Sequence, residues 1–248
     1  MKKLAIMAVG ALLCLTAVSN PVRADSFDDF KAQIQALGKT YIEPFAEDFG
    51  GLLGGADFNS GRSVGFPGFD AGIVVVSQFK PSEDNKILKD AGVDAFGIPL
   101  VQASVGIPAI KMDAALRGLV YSGLKVIGGG VRYPFHKSGV AKFIPDVMVS
   151  AFYDTISHDY FKGSHYSFDV SASFDIPVIK PFAGIGYDKT KLEVESVSAL
   201  LNGSTGSSGA MRYTAGVKFS PVPFLYVFGA YSIFHGESGA QVGAGAKF

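Results

Sequence analysis

Phe168, Val170, Ala172, Phe174 and Ile176 alternate with Ser167, Asp169, Ser171, Ser173 and Asp175, and this period of two constrains the chain more than any other feature. Successive side chains of an extended strand point to opposite faces, so such a segment has one apolar and one polar face. Phe69, Ala71, Ile73 and Val75 repeat the pattern, as do Met211, Tyr213, Ala215, Val217 and Phe219 against Arg212, Thr214, Gly216, Lys218 and Ser220. We read about ten such segments, over 69–79, 97–107, 111–121, 124–134, 145–155, 164–175, 179–192, 210–220, 223–234 and 239–248.

Ten residues is the length of a tilted strand that crosses a bilayer, roughly 9–11. Hydrocarbon offers no partner to backbone N–H and C=O groups, so a spanning sheet must close on itself. The expected fold is all-β: a closed antiparallel transmembrane barrel of about ten strands, over residues 66–248. A soluble barrel or sandwich is the alternative, and it would turn its apolar face inward. Short proline-bearing connections (106–111, 175–180, 220–223) are expected on one side, with longer polar ones (80–96, 193–209) on the other.

The polar face then lines the lumen. Charges of both signs in a small closed space are expected to pair, because an unpaired buried ion is costly. Asp113, Arg117, Asp169, Arg212 and Lys218 are the expected lumen network.

Residues 1–24 have a basic start, an apolar stretch and Val22-Arg23-Ala24, the pattern of a cleaved signal peptide. Removing Lys2, Lys3 and Arg23 from the 22 basic residues leaves 19 against 22 acids, a net charge of −3. That balance argues against nucleic acid as a partner. Cys14, the sole cysteine, leaves with the signal, which excludes disulfides, thiolate catalysis and cysteine-ligated metal.

Between signal and barrel, Phe27, Phe30, Ile34, Leu37, Tyr41, Phe45 and Phe49 recur at spacings of three or four, the face of one amphipathic helix or of two short ones bent at Pro44. GGLLGGADFNSGRS follows and reads as a flexible linker. Residues 25–65 are expected to plug the lumen or cap its periplasmic mouth. Two other arrangements remain open: an interfacial helix on the membrane, and a disordered spacer.

The chain's final stretch, with Val242, Ala244, Ala246 and Phe248 facing one way and Gln241, Gly243, Gly245 and Lys247 the other, resembles the C-terminal strand signal of Gram-negative outer-membrane proteins. The resemblance implies outer-membrane localisation, outer-membrane lipid as surroundings and the barrel-assembly machinery as a partner. YIEPFAEDFGGLLGGADFNSG followed by GFDAGI is also similar to an uncharacterised family of exported barrels with an N-terminal helical segment. That second resemblance implies a fold and no activity.

Catalytic chemistry has one candidate, Ser157-His158-Asp159 with Asp154 and His165 nearby, read as polar residues of an outer loop. Ten-stranded outer-membrane proteases pair two carboxylates with a separate Asp-x-His, a spacing absent here. The lipid A palmitoyltransferase shares an N-terminal amphipathic helix, yet no catalytic residue matches. No catalytic residue, cofactor or metal is therefore expected. Glu83, Asp84 and Asp90 are interleaved with Lys80, Lys86 and Lys89 and read as a solvated loop. The expected function is a narrow channel or transporter for a small or hydrophobic solute, partly occluded by the N-terminal segment. The alternatives are a structural or surface-interaction barrel with a closed lumen, and a lipid-modifying outer-membrane enzyme.

Overall fold

The computed structural model describes residues 26–121, 123–138 and 144–248; the expected signal peptide 1–24 lies outside the described residues. Ten strands form one closed antiparallel barrel in which each pairs with its sequence neighbours: β1 (Phe69–Gln78), β2 (Phe96–Ile107), β3 (Met112–Tyr121), β4 (Leu124–His136), β5 (Asp146–Ser157), β6 (Phe161–Ser173), β7 (Ile179–Val194), β8 (Thr205–Val222), β9 (Leu225–Phe234) and β10 (Glu237–Lys247). The seam is β1 against β10, with Asp70 opposite Lys247 and Gln78 opposite Gly239. Phe248 extends it, exchanging backbone hydrogen bonds with Phe69 at 2.7 and 2.9 Å and stacking on Phe224.

Each of the ten expected segments is a strand. The largest difference is at β8, which begins at Thr205 inside the expected 193–209 loop: small residues Gly206, Ser207 and Ser208 extend the ladder against Leu192, Lys191 and Thr190. Connections 108–111, 174–178 and 223–224 share one mouth with Phe248, here the turn mouth. Connections 79–95, 158–160, 195–204 and 235–236 share the other, the loop mouth.

The two faces of the wall separate sharply. Leu116, Val120, Val101 and Phe168 point outward and are 61–79% exposed. Tyr121, Tyr153, Tyr166 and Tyr187 face outward toward the loop mouth, and Phe69, Phe135, Phe224 and Phe248 ring the turn mouth. Inward lie Ser104, Asp113, Arg117, Ser150, Asp154, Ser167, Asp169, Ser171, Arg212, Thr214 and Gln241, all buried.

The core of the molecule is the N-terminal segment and what it touches. Helix α1 (Ser26–Leu37) and a 3₁₀ turn (Lys39–Tyr41) lead into α2 (Ile42–Gly54), and a short α3 (Lys86–Asp90) lies in the β1–β2 loop. Phe30 packs on Phe45 and on Phe161 at the loop-mouth end of β6, with ring centroids 4.9 and 5.0 Å apart, and Phe49 stacks on Phe45. Ile34 is buried with them. Tyr41 is half-buried beneath Lys86 Nζ. Phe27 lies on α1, and its side chain is outside the described residues.

The segment enters at the loop mouth, descends the lumen and leaves at the turn mouth to become β1. The expectation of a flexible glycine linker is corrected here, because Gly50, Gly51 and Gly54 are inside α2. A helix with side chains is about 10–12 Å across, and a ten-strand barrel is little wider than one that side chains alone can fill. A Cβ on Gly50 would lie 3.1 Å from Thr190 Cβ, and one on Gly54 would lie 2.6 Å from Asp188 Cγ. Glycine on that face lets the helix backbone press against β7.

Candidate functional site

Below the aromatic layer the lumen is charged, and its centre is a residue of the threaded segment. Asp57, fully buried, follows α2 by three residues. Its Oδ1 accepts from Arg117 Nη1 on β3, and its Oδ2 accepts from Arg212 Nη2 on β8 at 2.9 Å. In a ring of ten strands β3 and β8 are diametrically opposite. One carboxylate therefore spans the lumen.

Each arginine also has carboxylates on its own wall, reached by the same device. Arg117 on β3 stands opposite Gly128 on β4, and Gly128 stands opposite Asp154 on β5. With no side chain at Gly128, the Arg117 guanidinium crosses β4 and donates Nε and Nη2 to Asp154 at 2.7 and 2.6 Å. On the far wall Arg212 stands opposite Gly186 on β7, which stands opposite Asp169 on β6. Arg212 Nη2 crosses Gly186 to Asp169 at 2.6 Å, and its Nε donates to Asp188 at 3.0 Å. A Cβ at Gly186 would lie 2.6 Å from Arg212 Nη2.

Further contacts fasten the segment to the wall. His235 places Nδ1 2.9 Å from the Glu47 carbonyl oxygen and Nε2 3.1 Å from Asp188. Arg132 Nη2 donates to the Asp57 carbonyl oxygen at 2.8 Å. Asp48, on α2, accepts from Gln78 Nε2, Asn85 Nδ2 and the Ser82 backbone at 2.8–2.9 Å, which ties the β1–β2 loop to the helix. Burial holds the Asp48 carboxyl above its usual range, with those three donors opposing the shift.

The structure brings together only part of the expected network. Asp169 and Arg212 meet. Asp113 does not reach Arg117: it sits one residue from the turn-mouth end of β3 and accepts from Ser63 Oγ, Val64 N and Gly65 N. Four residues of strand put about 13 Å between them along β3. Lys218 meets none of these and donates to Asn59 Oδ1 at 2.5 Å. Sequence reasoning missed Asp57, Asp188 and Arg132. Asp188 carries a readable signal, since it alternates in phase with Gly184, Gly186, Thr190 and Leu192.

The polar cluster near residue 158 is dispersed. His158 stacks on Phe161 with ring centroids 4.9 Å apart. Asp154 is occupied by Arg117, and His165 lies on β6, not in a loop, with Nδ1 2.9 Å from Thr190 Oγ1 beneath α2. Among the described residues no group of three or more His, Cys, Asp or Glu side chains is arranged to hold a metal ion.

No family model and no curated protein matches the chain. Among solved structures it is similar to the N-terminal β-barrel domain of OprF from Pseudomonas aeruginosa, at 16% identity, with 72% of this chain and 97% of that chain covered and a TM-score of 0.33. It is similar to the Ail protein of Yersinia pestis at 15% identity, over 73% and 98% of the two chains, with a TM-score of 0.32. The translocator domain of the autotransporter NalP from Neisseria meningitidis is covered completely by 93% of this chain, at 12% identity and a TM-score of 0.37.

Proposed function

We propose that this chain is an outer-membrane barrel serving as a closed passage for small polar solutes, shut by its own residues 26–65 and opened when that segment shifts. The belt of exposed Leu, Val, Ile and Phe between two aromatic rims supports membrane insertion, because a soluble surface rarely carries so large an apolar patch. The loop mouth is assigned to the cell exterior, in keeping with the long 79–95 and 195–204 connections there.

The observation that carries the reading is the pairing of the wall with itself. If Asp57 leaves, Arg117 keeps Asp154, and Arg212 keeps Asp169 and Asp188. The vacated midsection is then a polar lining with compensated charge, suited to water and polar solutes. A lumen built only to stay shut would do as well or better with apolar side chains, since replacing buried ion pairs by packed apolar groups is often neutral or stabilising.

A second reading, a permanently closed structural or surface-interaction barrel, is favoured by the aromatic packing of Phe30, Phe45, Phe49 and Phe161. A tether separates the two. In the double variant Gly50→Cys with Thr190→Cys the Cβ atoms are placed 3.1 Å apart, close to the roughly 3.5–4.5 Å of a disulfide. Planar-bilayer recordings should show channel openings for the reduced chain and for Asp57→Ala, and none after oxidation of the tethered pair. Silence from both reduced and Asp57→Ala proteins would favour the permanently closed barrel.

A further inference from the structure

The turn mouth holds a cationic vestibule that passage through the lumen does not require. A cavity of about 420 Å³ opens there between the β6–β7 and β8–β9 turns. Four cations line it, Arg62, Lys180, Lys218 and Lys247, against one carboxylate, Asp175. That carboxylate is already engaged by Arg62 and by Lys180 Nζ. The cavity therefore carries a formal charge of three positive units from the residues lining it.

Lys218 is the more telling of the amines. Only 8% exposed, it lies 4.2 Å from the centre of the Tyr226 ring and donates to Asn59 Oδ1. Lys247 donates to the Ser63 carbonyl oxygen at 3.1 Å. Among the described residues neither ammonium has a carboxylate oxygen within 4.0 Å. Asp70 stands opposite Lys247 in the seam, but its Oδ1 accepts from Tyr226 Oη at 2.7 Å. A buried ammonium ordinarily has a counter-ion, and here the cavity beside it offers the space for one.

We propose that this vestibule binds a phosphate-bearing anion, its phosphate between Lys218 and Lys247 and its remaining charge toward Arg62 and Lys180. Phosphate chemistry fits better than a single carboxylate, because Lys218 and Lys247, the two lining cations without an ion-pair partner among the described residues, together match a doubly charged anion, and ammonium groups serve phosphate oxygens. The phosphate has two sources at a membrane rim, a soluble phosphorylated compound or the headgroup of an anionic phospholipid.

Calorimetric titration of the refolded full chain with inorganic pyrophosphate at low salt tests the soluble source. Native mass spectrometry of the protein taken from phosphatidylglycerol or phosphatidylcholine bilayers tests the headgroup. Retained phosphatidylglycerol or bound pyrophosphate, weakened at least tenfold by Lys218→Gln and by Lys247→Gln, supports the site and names its source. Lys180→Gln, at the rim, serves as a second variant should Lys218→Gln fold poorly. Binding in neither arm, or binding indifferent to all three substitutions, overturns the proposal. None of these readouts requires the lumen to open, so the result stands apart from the conductance recordings.

Discussion

Arg117 and Arg212 project from diametrically opposite strands, and both donate to the carboxylate of Asp57. Truncation at position 57 is the most direct challenge to the closed state. Asp57→Ala should produce channel openings in bilayers. Its stability loss should fall below the roughly 3–5 kcal/mol typical of breaking a buried ion pair, since each arginine keeps a wall carboxylate. Denaturant unfolding of the refolded protein measures it.

Gly128 and Gly186 are expected to be as sensitive as the charged residues they lie between. Gly186→Val would thrust methyl groups into the Arg212 guanidinium, and Gly128→Val into Asp154. Overpacking of this kind costs about 1–3 kcal/mol, and displaced guanidinium groups would also loosen Asp57. Gly229→Ala is the control: the nearest atom to its added Cβ is 3.9 Å away, and its melting point should match the parent.

Asp48 gives a pH dependence of defined sign. Its folded value is raised above the ordinary 3.8, so the folded chain holds that proton more tightly than the unfolded one. The stabilising contribution is complete below 3.8 and is lost as pH rises through the folded value. Asp48→Asn removes this slope, and it turns an amide toward one of three donors at a cost of about 1–3 kcal/mol. Melting curves of both proteins from about pH 3 to about pH 6 should lie farthest apart at the acid end and draw together as pH rises, the parent alone losing the Asp48 contribution.

Orientation has its own test. Ala36 is exposed at the loop mouth and Lys111 at the turn mouth. A membrane-impermeant maleimide applied to intact cells should label Ala36→Cys and leave Lys111→Cys untouched. The reverse pattern would invert the proposed placement.

The strands are legible in the sequence because each face meets a different surrounding: Phe168 and Val170 point outward, Asp169 and Ser171 into the lumen, and alternation records this directly. The pairing of Asp169 with Arg212 follows from their shared face. Level along the barrel is a different matter, as the separation of Asp113 from Arg117 shows. Tilt and closure decide which inward residues share a height, and no local pattern encodes them. Asp57 was hidden for a related reason, since it sits in an aperiodic glycine-rich stretch and its partners come from walls that meet only when the ring is complete.

The route of residues 26–65 also bears on how such a ring could be assembled. With Phe30, Phe45 and Phe49 held at the loop mouth and β1 starting at the turn mouth, the segment is too bulky to be drawn through a finished ring with its helix formed. Strands wrapped about the segment, as staves about a mandrel, before the seam between β1 and β10 zips would need no such passage. The same forty residues that block the lumen would serve, during biogenesis, as the template that sets its bore.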